Sequence, residues 1–402
     1  MTHTAQLKDI CIIAPSKSEI KNHNLEGGAM VSFLPMEDLR IGAMHITPSK
    51  SRRLEEVSGS YTYFKEGDIL LAKVTPCFEN GKVGIATGLV NGVGYGSSEF
   101  IVIRPDTSKV VPAYLYYRLH EDSFRREGRS LMVGACGLKR LPKSYVAETS
   151  ISLPSIPEQE RIVGVLDNEF AKIDRLRSNA EQNLRHAKDL FQAALRAELE
   201  PRDGWKVIKL KEISTVRVGP FGSCLHKNDY ISGGTPLINP IHMKDGVIVP
   251  SPDFSVSGKK LQELSNYILK EGDVVFARRG EIGRCALVSK KEDGFLCGTG
   301  SLFVRFNSPQ NSSFMMNLLD SPAVKEQLLS RATGATMLNI NSSMVENLEV
   351  CLPPKDVQHE IQNTLCILSN RCKILQDNYS KTAALCDDLK QALLRKAFNG
   401  EL

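Results

Sequence analysis

The sequence predicts an α+β protein with two pseudo-repeated globular units, each a mixed, mostly antiparallel sheet with a few helices, separated by two long antiparallel coiled-coil helices. Three observations lead to this fold class. The second half of the chain repeats the first, each half ends in a long heptad pattern, and short β-type runs bounded by glycine fill the remainder. A chain of 402 residues also exceeds what one ordinary core accommodates. We expect globular units at 1–152 and 203–351, and helical segments at 153–202 and 352–402.

The repeat is visible in three short strings. LKDI at 7–10 corresponds to LKEI at 210–213, and KEGDI at 65–69 corresponds to KEGDV at 270–274. In both halves a Leu-Pro pair is followed by glutamine and isoleucine at the same spacing, as Gln159 and Ile162 and as Gln358 and Ile361. Because the interiors between these strings differ, the two units are expected to present different surfaces on one frame. Such a pair suits a partner with two half-sites, and duplex DNA is the commonest such partner.

The first globular unit contains apolar runs at 68–74 and 100–104, which predict buried strands, and a helical pattern at 113–127. Basic, hydroxyl and amide residues follow these strands in glycine-punctuated loops, where the backbone can approach a ligand closely. Such side chains hold phosphate oxygens or base edges. The DNA-binding candidates of this unit are Lys73, Thr75, Asn80, Lys82, Ser97, Ser98, Lys139 and Arg140.

The first long helix begins near Pro157, which suits a first helical turn because proline has no amide to leave unpaired. Apolar residues then alternate in steps of four and three, the period of a coiled-coil seam. The larger seam residues of this helix are Ile162, Leu166, Ile173, Leu176 and Leu190. Pro201 and Gly204 end the pattern.

The second globular unit repeats the scheme, with β-type runs at 273–278 and 301–305 and a helical pattern at 314–331. One loop has Arg278 and Arg279 where the first unit has Lys73 and Thr75, and a second loop has Thr336, Asn339 and Asn341 where the first unit has Lys139 and Arg140. Each unit is therefore expected to bind a different sequence. The candidates of this unit are Lys227, Arg278, Arg279, Arg284, Thr299, Ser301, Thr336, Asn339 and Asn341.

The second long helix carries the clearer seam and ends at Asn399-Gly400. Its larger seam residues are Ile361, Leu365, Leu368, Leu375, Leu389 and Leu393. Each helix has about 40 residues and a length of roughly 60 Å. Because subtracting 199 from these numbers reproduces the register of the first helix, antiparallel pairing within the chain is favoured. The alternatives are that each apolar stripe covers its own unit or drives dimerisation.

Composition excludes some classes of protein and leaves others open. The net charge of +5 permits a polyanionic partner without requiring one. The ten cysteines include no Cys-x-x-Cys pair, and no second pair at zinc spacing accompanies Cys224 and His226, so no structural metal is expected. Since no apolar run is long enough to cross a bilayer and no signal pattern follows Met1, we expect a cytoplasmic protein without membrane contact.

The motifs of an enzyme are missing. The sequence has no P-loop and no Gly-x-Gly-x-x-Gly that opens a helix after a strand. The string NPIH at 239–242 lacks the second proline and the aromatic residue of an amino-methyltransferase motif. Neither Asp106 nor Asp253 is followed by the acidic residue and lysine of a nuclease metal site. We therefore expect no catalytic residue, no bound metal and no cofactor in this chain.

Over essentially its full length the chain resembles the specificity subunit of Type I restriction–modification systems. The resemblance is carried by LPxxxxQxxI before each long helix, TPCFENGK at 75–82, GSSEF at 96–100, GPFGS at 219–223 and AFNGEL at 397–402. One departure is that Trp205 opens the second unit while no tryptophan precedes Leu7, which affects only the N-terminal boundary.

The resemblance implies that each globular unit is a target recognition domain that reads one half of a split double-stranded DNA sequence. It implies that the helices form the spacer between half-sites and that two modification subunits dock on it. These subunits would bind S-adenosylmethionine and methylate adenine. Restriction subunits would use ATP and magnesium to cleave foreign DNA. A coiled-coil scaffold without a nucleic-acid role and a free-standing DNA-modifying enzyme remain alternatives.

Overall fold

A computed structural model of the chain describes residues 3–23, 25, 28–135, 137–221, 224–244, 246–307, 311–332 and 338–402. The chain divides into two compact units. Unit 1 comprises Met1–Ala180 together with Lys381–Leu402, and unit 2 comprises Glu181–Ser380. Both divisions fall inside a long helix, so each unit contains a globular part and a segment of each long helix. The limits predicted for the globular parts alone remain a prediction.

Unit 1 has thirteen strands in its described part. They are β1 (His3–Gln6), β2 (Cys11–Ile13), β3 (Met30–Leu34), β4 (His45–Ile46), β5 (Lys50–Arg53), β6 (Thr62–Lys65), β7 (Ile69–Ala72), β8 (Val83–Ala86), β9 (Val93–Gly96), β10 (Phe100–Pro105), β11 (Val133–Ala135), β12 (Leu138–Arg140) and β13 (Ser150–Leu153). Its helices are α1 (Leu7–Ile10), α2 (Leu54–Val57), α3 (Pro112–His120), α4 (Asp122–Leu131), α5 (Lys143–Glu148) and the first part of α6 (Ile156–Glu198). The helical pattern expected at 113–127 is thus two helices, α3 and α4.

The sheets of unit 1 are mostly antiparallel, as the sequence predicts. A five-stranded sheet has the order β2-β10-β7-β8-β4, and a four-stranded sheet has the order β5-β3-β9-β6. Strands β1 and β13 form one pair, and β11 and β12 form a hairpin. In the described part, the parallel pairs of this unit are β3 with β9 and β4 with β8.

The central strands of unit 1 are apolar throughout because both faces of their sheet are covered. Leu71 of β7 packs into the cluster that contains Tyr114 and Leu115 of α3. The next residue back, Leu70, points to the opposite face and packs with Phe64. Alternate residues of one strand thus enter two clusters, which explains a continuous apolar run in place of an alternating one.

Unit 2 repeats this arrangement with other residues. Its strands are β14 (Lys206–Lys209), β15 (Ser214–Val218), β16 (Tyr230–Ile231), β17 (Thr235–Ile238), β18 (Met243–Lys244), β19 (Val247–Ile248), β20 (Ser255–Val256), β21 (Val274–Ala277), β22 (Cys285–Leu287), β23 (Leu296–Cys297), β24 (Ser301–Phe306) and β25 (Glu349–Leu352). Its helices are α7 (Gly258–Glu263), α8 (Ser312–Leu319), α9 (Pro322–Arg331), α10 (Ser342–Glu346) and the first part of α11 (Lys355–Phe398). The sheets have the orders β15-β24-β21-β22 and β16-β20-β17-β23, with the pairs β14-β25 and β18-β19.

The repeated Gly-Asp string has a structural cause. Gly67 and Gly272 have φ of +80° and +89°, a left-handed conformation that favours glycine. The aspartate that follows is buried in both units and forms two hydrogen bonds with an arginine guanidinium. Nε and Nη2 of Arg104 donate to Asp68 at 2.7 and 2.8 Å, and those of Arg305 donate to Asp273 at 2.9 and 2.6 Å. The string therefore builds a reverse turn and an ion pair whose aspartate is buried.

The glutamine of the LPxxxxQ string is also structural. Gln159 is fully buried, and its Nε2 donates to the carbonyl oxygens of Pro154 and Lys109 at 2.9 and 3.0 Å. Its Oε1 accepts from the backbone amide of Val111 at 2.8 Å. In unit 2, Nε2 of Gln358 donates to the carbonyl oxygen of Pro353 at 3.0 Å. Each glutamine thus ties the first turn of a long helix to the residues before it.

The two long helices pair in antiparallel fashion within each unit. In unit 1 the start of α6 and the end of α11 share a cluster that contains Leu166 and Leu394. Ion pairs link Asp174 to Lys390 at 2.5 Å and Arg177 to Asp387 at 2.7 Å. In unit 2 the opposite ends meet, because Leu195 of α6, and Leu199 directly after this helix, share a cluster with Ile361 and Leu365 of α11. This confirms the favoured antiparallel pairing.

The seam between the helices is narrower than the heptad pattern predicts. The buried residues include Ile162, Leu166, Ile173, Ala180 and Ala187 on α6, and Ile361, Leu365, Cys372 and Cys386 on α11. Leu368 and Leu393 are partly buried. The expectation of a buried seam is wrong for four leucines, which are 38 to 52% exposed: Leu176, Leu190, Leu375 and Leu389.

Small residues account for this difference. Ala180 and Ala187 occupy successive buried heptad positions on α6, and Cys372 and Cys386 occupy buried positions on α11. Small side chains at a helix contact permit a short distance between the axes. The residue at one position of each heptad then fills the space between the helices. The leucine at the other position lies beside the contact and stays exposed.

Candidate nucleic-acid interface

Three segments of unit 1 meet where β7 ends. The amide of Lys73 donates to the carbonyl oxygen of Glu99 at 2.9 Å, and the amide of Leu141 donates to the carbonyl oxygen of Lys73 at 2.7 Å. The amide of Thr75 donates to the carbonyl oxygen of Lys139 at 3.0 Å. The structure thus brings Lys73 and Thr75, Ser98, and the pair Lys139 and Arg140 to one edge, which we call the unit 1 edge.

A carboxylate lies among the cations of the unit 1 edge. Nε and Nη2 of Arg140 donate to Glu99 at 2.9 and 2.8 Å. Nζ of Lys73 donates to the carbonyl oxygen of Ser98 at 2.8 Å and lies 3.9 Å from Oε2 of Glu99. The hydrogen bond from Arg140 lowers the pKa of Glu99, and burial lowers the pKa of Lys73, with Lys143 and Arg140 adding to that effect. The edge therefore carries a net positive charge, and the carboxylate of Glu99 holds Arg140 and lies near Lys73.

The hairpin of β11 and β12 projects next to these residues. All residues of both strands are exposed, including Val133 at 65% and Leu138 at 49%. A hairpin with such exposure contributes little to the core, so packing alone does not explain its apolar residues. A two-stranded ribbon fits the major groove of B-DNA, and apolar side chains there contact thymine methyl groups.

Other predicted residues of unit 1 have internal partners. Nζ of Lys82 donates to the carbonyl oxygen of Met36 at 2.9 Å in a partly buried position, so this lysine ties two loops together. Oγ of Ser97 accepts from the amide of Glu99 at 3.2 Å and thereby shapes the turn before β10. Oγ1 of Thr75 binds the backbone of Lys139 as both donor and acceptor. Asn80 is exposed in the loop after β7.

Unit 2 has an edge of the same construction. The amide of Arg278 donates to the carbonyl oxygen of Gly300 at 2.9 Å, and the amide of Ile340 donates to the carbonyl oxygen of Arg278 at 3.1 Å. Arg279 and Asn339 form an antiparallel bridge, as Val74 and Arg140 do in unit 1. The unit 2 edge therefore places Arg278 where unit 1 has Lys73, Gly300 where it has Glu99, and Asn339 where it has Arg140.

The charges of the unit 2 edge are arranged differently. Nε of Arg278 donates to Oδ1 of Asn339 at 3.2 Å, and its guanidinium lies 5.9 Å from the ring centre of Phe221. Arg279 is exposed. Burial lowers the pKa of Arg278, and the neighbouring Arg279 adds to the effect. No carboxylate is found in an ion pair with either arginine in the described part of unit 2.

The remaining candidates of unit 2 lie less favourably. Ser301 is fully buried at the start of β24, so its prediction as a DNA contact is wrong. Its carbonyl oxygen accepts from the amide of Gly219 at 2.9 Å. Asn341 caps α10, because its Oδ1 accepts from the amide of Met344 at 2.9 Å. Arg284 forms an ion pair with Glu281 and donates to the carbonyl oxygen of Pro240 at 3.1 Å.

Three candidates add little to the unit 2 edge. Lys227 is exposed in a 3-10 turn, Lys227–Asp229. Thr299 is partly exposed beside Gly300. Thr336 lies outside the described residues.

Sequence reasoning missed Glu99 and Phe221 as members of these edges. Glu99 stood in a motif that carried the resemblance, but an acidic residue was not expected at a DNA-binding surface. The only signal for Phe221 was an aromatic residue in a glycine-rich loop. Among the described residues no cluster of histidine, cysteine or acidic side chains has the form of a metal site. None of the described helices is long and apolar enough to cross a membrane.

Comparison with known proteins gives a consistent family. The family model of the Type I restriction modification DNA specificity domain matches the chain twice, at residues 2–184 and 202–381. The chain is 34% identical over 189 residues to the Type I restriction enzyme EcoEI specificity subunit of Escherichia coli, covering 47% of this chain and 31% of that protein. It is 33% identical over 165 residues to the EcoAI specificity subunit of the same species, covering 41% and 28%. The match thus spans about a third of the length of these two relatives.

A longer match and two solved structures extend the comparison. The MjaIX specificity subunit of Methanocaldococcus jannaschii is 25% identical over 362 residues, which cover 85% of this chain and 79% of that protein. A chain from a structure on complex assembly and conformational transition of the type I R-M system gives a TM-score of 0.81 at 18% identity, over 100% and 98% of the two chains. The HsdS subunit from Thermoanaerobacter tengcongensis gives 0.62 at 19% identity, over 100% and 97%. At these identities the structures show a shared fold.

Proposed function

The chain belongs to the Type I restriction modification DNA specificity family, and we propose that it is the subunit that reads the DNA target of a type I restriction–modification complex. The observation that carries the proposal is the duplicated edge. Two units of one construction present basic residues at this edge, and Arg278 of unit 2 stands where unit 1 has Lys73. Arg140 of unit 1 and Arg279 of unit 2 belong to equivalent antiparallel bridges, on opposite strands of the bridge. Each edge would bind one half of a bipartite duplex sequence.

The two half-sites are expected to differ in sequence. In unit 1, Arg140 forms the bridge with Val74, which lies just after β7. A bidentate arginine suits O6 and N7 of guanine. In unit 2 the matched residue is Asn339, and asparagine suits N6 and N7 of adenine. Arg279 and Lys139 would hold phosphate oxygens, which position the protein without reading sequence.

Catalysis is assigned to partner subunits. The sequence lacks the P-loop and the amino-methyltransferase motif, and the relatives named above are specificity subunits. We infer that modification subunits supply S-adenosylmethionine and adenine methylation. Restriction subunits, when present, supply ATP-driven cleavage with magnesium.

The exposed leucines of the long helices support a docking site for two modification subunits. Unit 1 has Leu176 on α6 and Leu389 on α11, both close in sequence to the ion pair of Arg177 with Asp387. Unit 2 has Leu190 and Leu375 at the positions that correspond by the offset of 199 residues. Each unit therefore carries one exposed leucine from each helix, and burial of these side chains by a partner subunit would be favourable.

Reconstitution tests the proposal. The chain is purified alone and with its modification subunit, and DNA binding is measured by electrophoretic shift at a stated salt concentration, because phosphate contacts make affinity salt-dependent. We expect weak binding by the chain alone and protection of one bipartite sequence by the complex. Mapping of methylated adenines in the host, with and without the chain, identifies that sequence.

Two outcomes would contradict the proposal. A complex that protects no defined bipartite sequence would favour a scaffold. Methyl transfer or magnesium-dependent nicking by the chain alone would favour an enzyme.

A further inference from the structure

We propose that Glu99 is a positioning residue, which holds Arg140 so that the outer edge of its guanidinium reads one base pair of the half-site bound by unit 1. The inference rests on the proposed function and deepens it. It starts from the geometry of the pair. The carboxylate of Glu99 accepts from Nε and Nη2 of Arg140, so it occupies the guanidinium edge formed by these two nitrogens. An arginine has five N–H donors in a rigid plane, and those on the end formed by Nη1 and Nη2 remain available.

The pair is anchored on one side and open on the other. The amide of Glu99 donates to Oγ of Ser97, and its carbonyl oxygen accepts from the amide of Lys73 at 2.9 Å. Arg140 ends β12 and is bridged to Val74. The side chains of Arg140 and Glu99 are nevertheless 45 and 24% exposed, so both reach the surface. Fixed backbone with an exposed guanidinium is the geometry that base reading needs, because a free arginine loses rotamer entropy on binding.

The negative charge of Glu99 has a second consequence. A carboxylate near the phosphates of DNA opposes binding, because like charges repel. That repulsion applies to every sequence, whereas the contact of a held arginine with its base applies to one. Glu99 therefore weakens non-specific binding and strengthens discrimination. Oε2 of Glu99 also lies 3.9 Å from Nζ of Lys73, so the same carboxylate attracts a second cation of the edge.

Unit 2 has no carboxylate at the position of Glu99, so the effect of Glu99 on DNA recognition is expected in unit 1 alone. Gly300 stands at the position of Glu99, and a Cβ added there would lie 3.0 Å from Cδ of Pro240. Such a contact is tighter than ordinary van der Waals packing, so the loop favours glycine. Loss of the Glu99 carboxylate should therefore change recognition of the unit 1 half-site and leave the half-site of unit 2 unaffected.

The test compares Glu99→Gln with the native chain in the complex with its modification subunit. Dissociation constants are measured at fixed salt for the mapped target and for each single base-pair change in both half-sites. We expect discrimination at one base pair of the unit 1 half-site to fall by about 5- to 150-fold, the range of one bidentate base contact. Binding to unrelated duplex should become tighter or stay equal. Arg140→Lys should lose discrimination at the same base pair.

The chain offers a matched control. Arg161 donates from Nη2 and Nε to Glu158 at 2.7 and 2.8 Å, in an exposed pair of the same bidentate type at the start of α6. Glu158→Gln should leave every dissociation constant unchanged. The melting temperature of all variants is measured, so that loss of a structural contact is recognised.

Three results would overturn the inference. Glu99→Gln with native discrimination at every base pair would show that Glu99 does not position Arg140, while the proposed function would stand. A uniform loss across both half-sites with a lower melting temperature would make the pair structural. A native complex without any defined target would remove the proposed function itself.

Discussion

In the proposed function the long helices set the spacing of the half-sites, so this spacing can be changed by design. We consider deletion of residues 180–186 from α6 together with 379–385 from α11. In each helix the deletion removes one heptad and keeps the buried register, because Ala187 then follows Ile173, and Cys386 follows Cys372, by seven residues. The ion pair of Arg177 with Asp387 lies outside both deleted segments.

The expected change follows from helix geometry. Seven residues correspond to about 10.5 Å of helix, and this length equals about three base pairs of duplex. We therefore predict that the recognised spacer becomes about three base pairs shorter, while both half-site sequences stay the same. Over three base pairs the duplex also turns by about 100°. The shortened complex should accordingly bind its new target more weakly than the native complex binds its own.

Mapping of methylated adenines with the shortened chain provides the readout, and electrophoretic shift on duplexes with stepped spacers gives the affinities. Insertion of one heptad in both helices is the matched control and should lengthen the spacer by the same amount. Deletion from α6 alone should disrupt the pairing of the helices and reduce assembly. A folded, active double deletion that still selects the native spacer would refute the idea that these helices set the distance.

Three further predictions use other parts of the chain. Lys73→Ala and Arg279→Ala should each lower DNA affinity without releasing modification subunits; a loss of about 1–3 kcal/mol confined to one base pair indicates base reading, and a loss equal for all sequences indicates a phosphate contact. Leu176→Glu or Leu389→Glu should weaken binding of a modification subunit by about 10- to 100-fold, as expected for a buried leucine, and calorimetry with native binding would contradict the docking site. Burial, with nearby cations, lowers the pKa of His120 from its ordinary value to about 4. The stability this neutral ring contributes is present above about pH 6.5 and is lost as pH falls through about 4, a difference of about 3 kcal/mol; His120→Phe should reduce that acid dependence in thermal melts, and an unchanged dependence would assign it to other groups.

Much of the frame could be predicted from the sequence, because it depends on local patterns. The Gly-Asp string marked the repeat, and its aspartate proved to be buried and paired with Arg104 or Arg305. The long helices followed from their period. Burial along the seam was harder, because the heptad rule assumes that both seam positions fill the contact. Because alanine and cysteine occupy one of the two seam positions, the contact between α6 and α11 buries fewer residues than the rule assumes. Which leucines stay exposed depends on the residues of both helices.

The site could be predicted only in part, because residues far apart in sequence build it. Lys73 and Arg140 were expected at separate loops, but their common neighbour Glu99 is 41 residues from Arg140 and is brought close only by strand pairing. Burial likewise removed Ser301, whose position at the start of a strand gave no sign that its side chain would be enclosed. Side-chain partners, unlike strands, do not follow a period that a sequence displays.

The contrast between buried and exposed residues explains how two units of the same fold can carry different residues at their edges. An ion pair with a buried aspartate is present in both units, Asp68 with Arg104 and Asp273 with Arg305, because loss of the arginine would leave an unpaired buried carboxylate. Arg140 faces no such penalty, since it is exposed and contributes little to the core. A frame held by its buried pairs can therefore exchange Arg140 for an asparagine at its edge and keep its fold. This separation of stabilising residues from edge residues is what the proposed binding of two half-sites of different sequence requires.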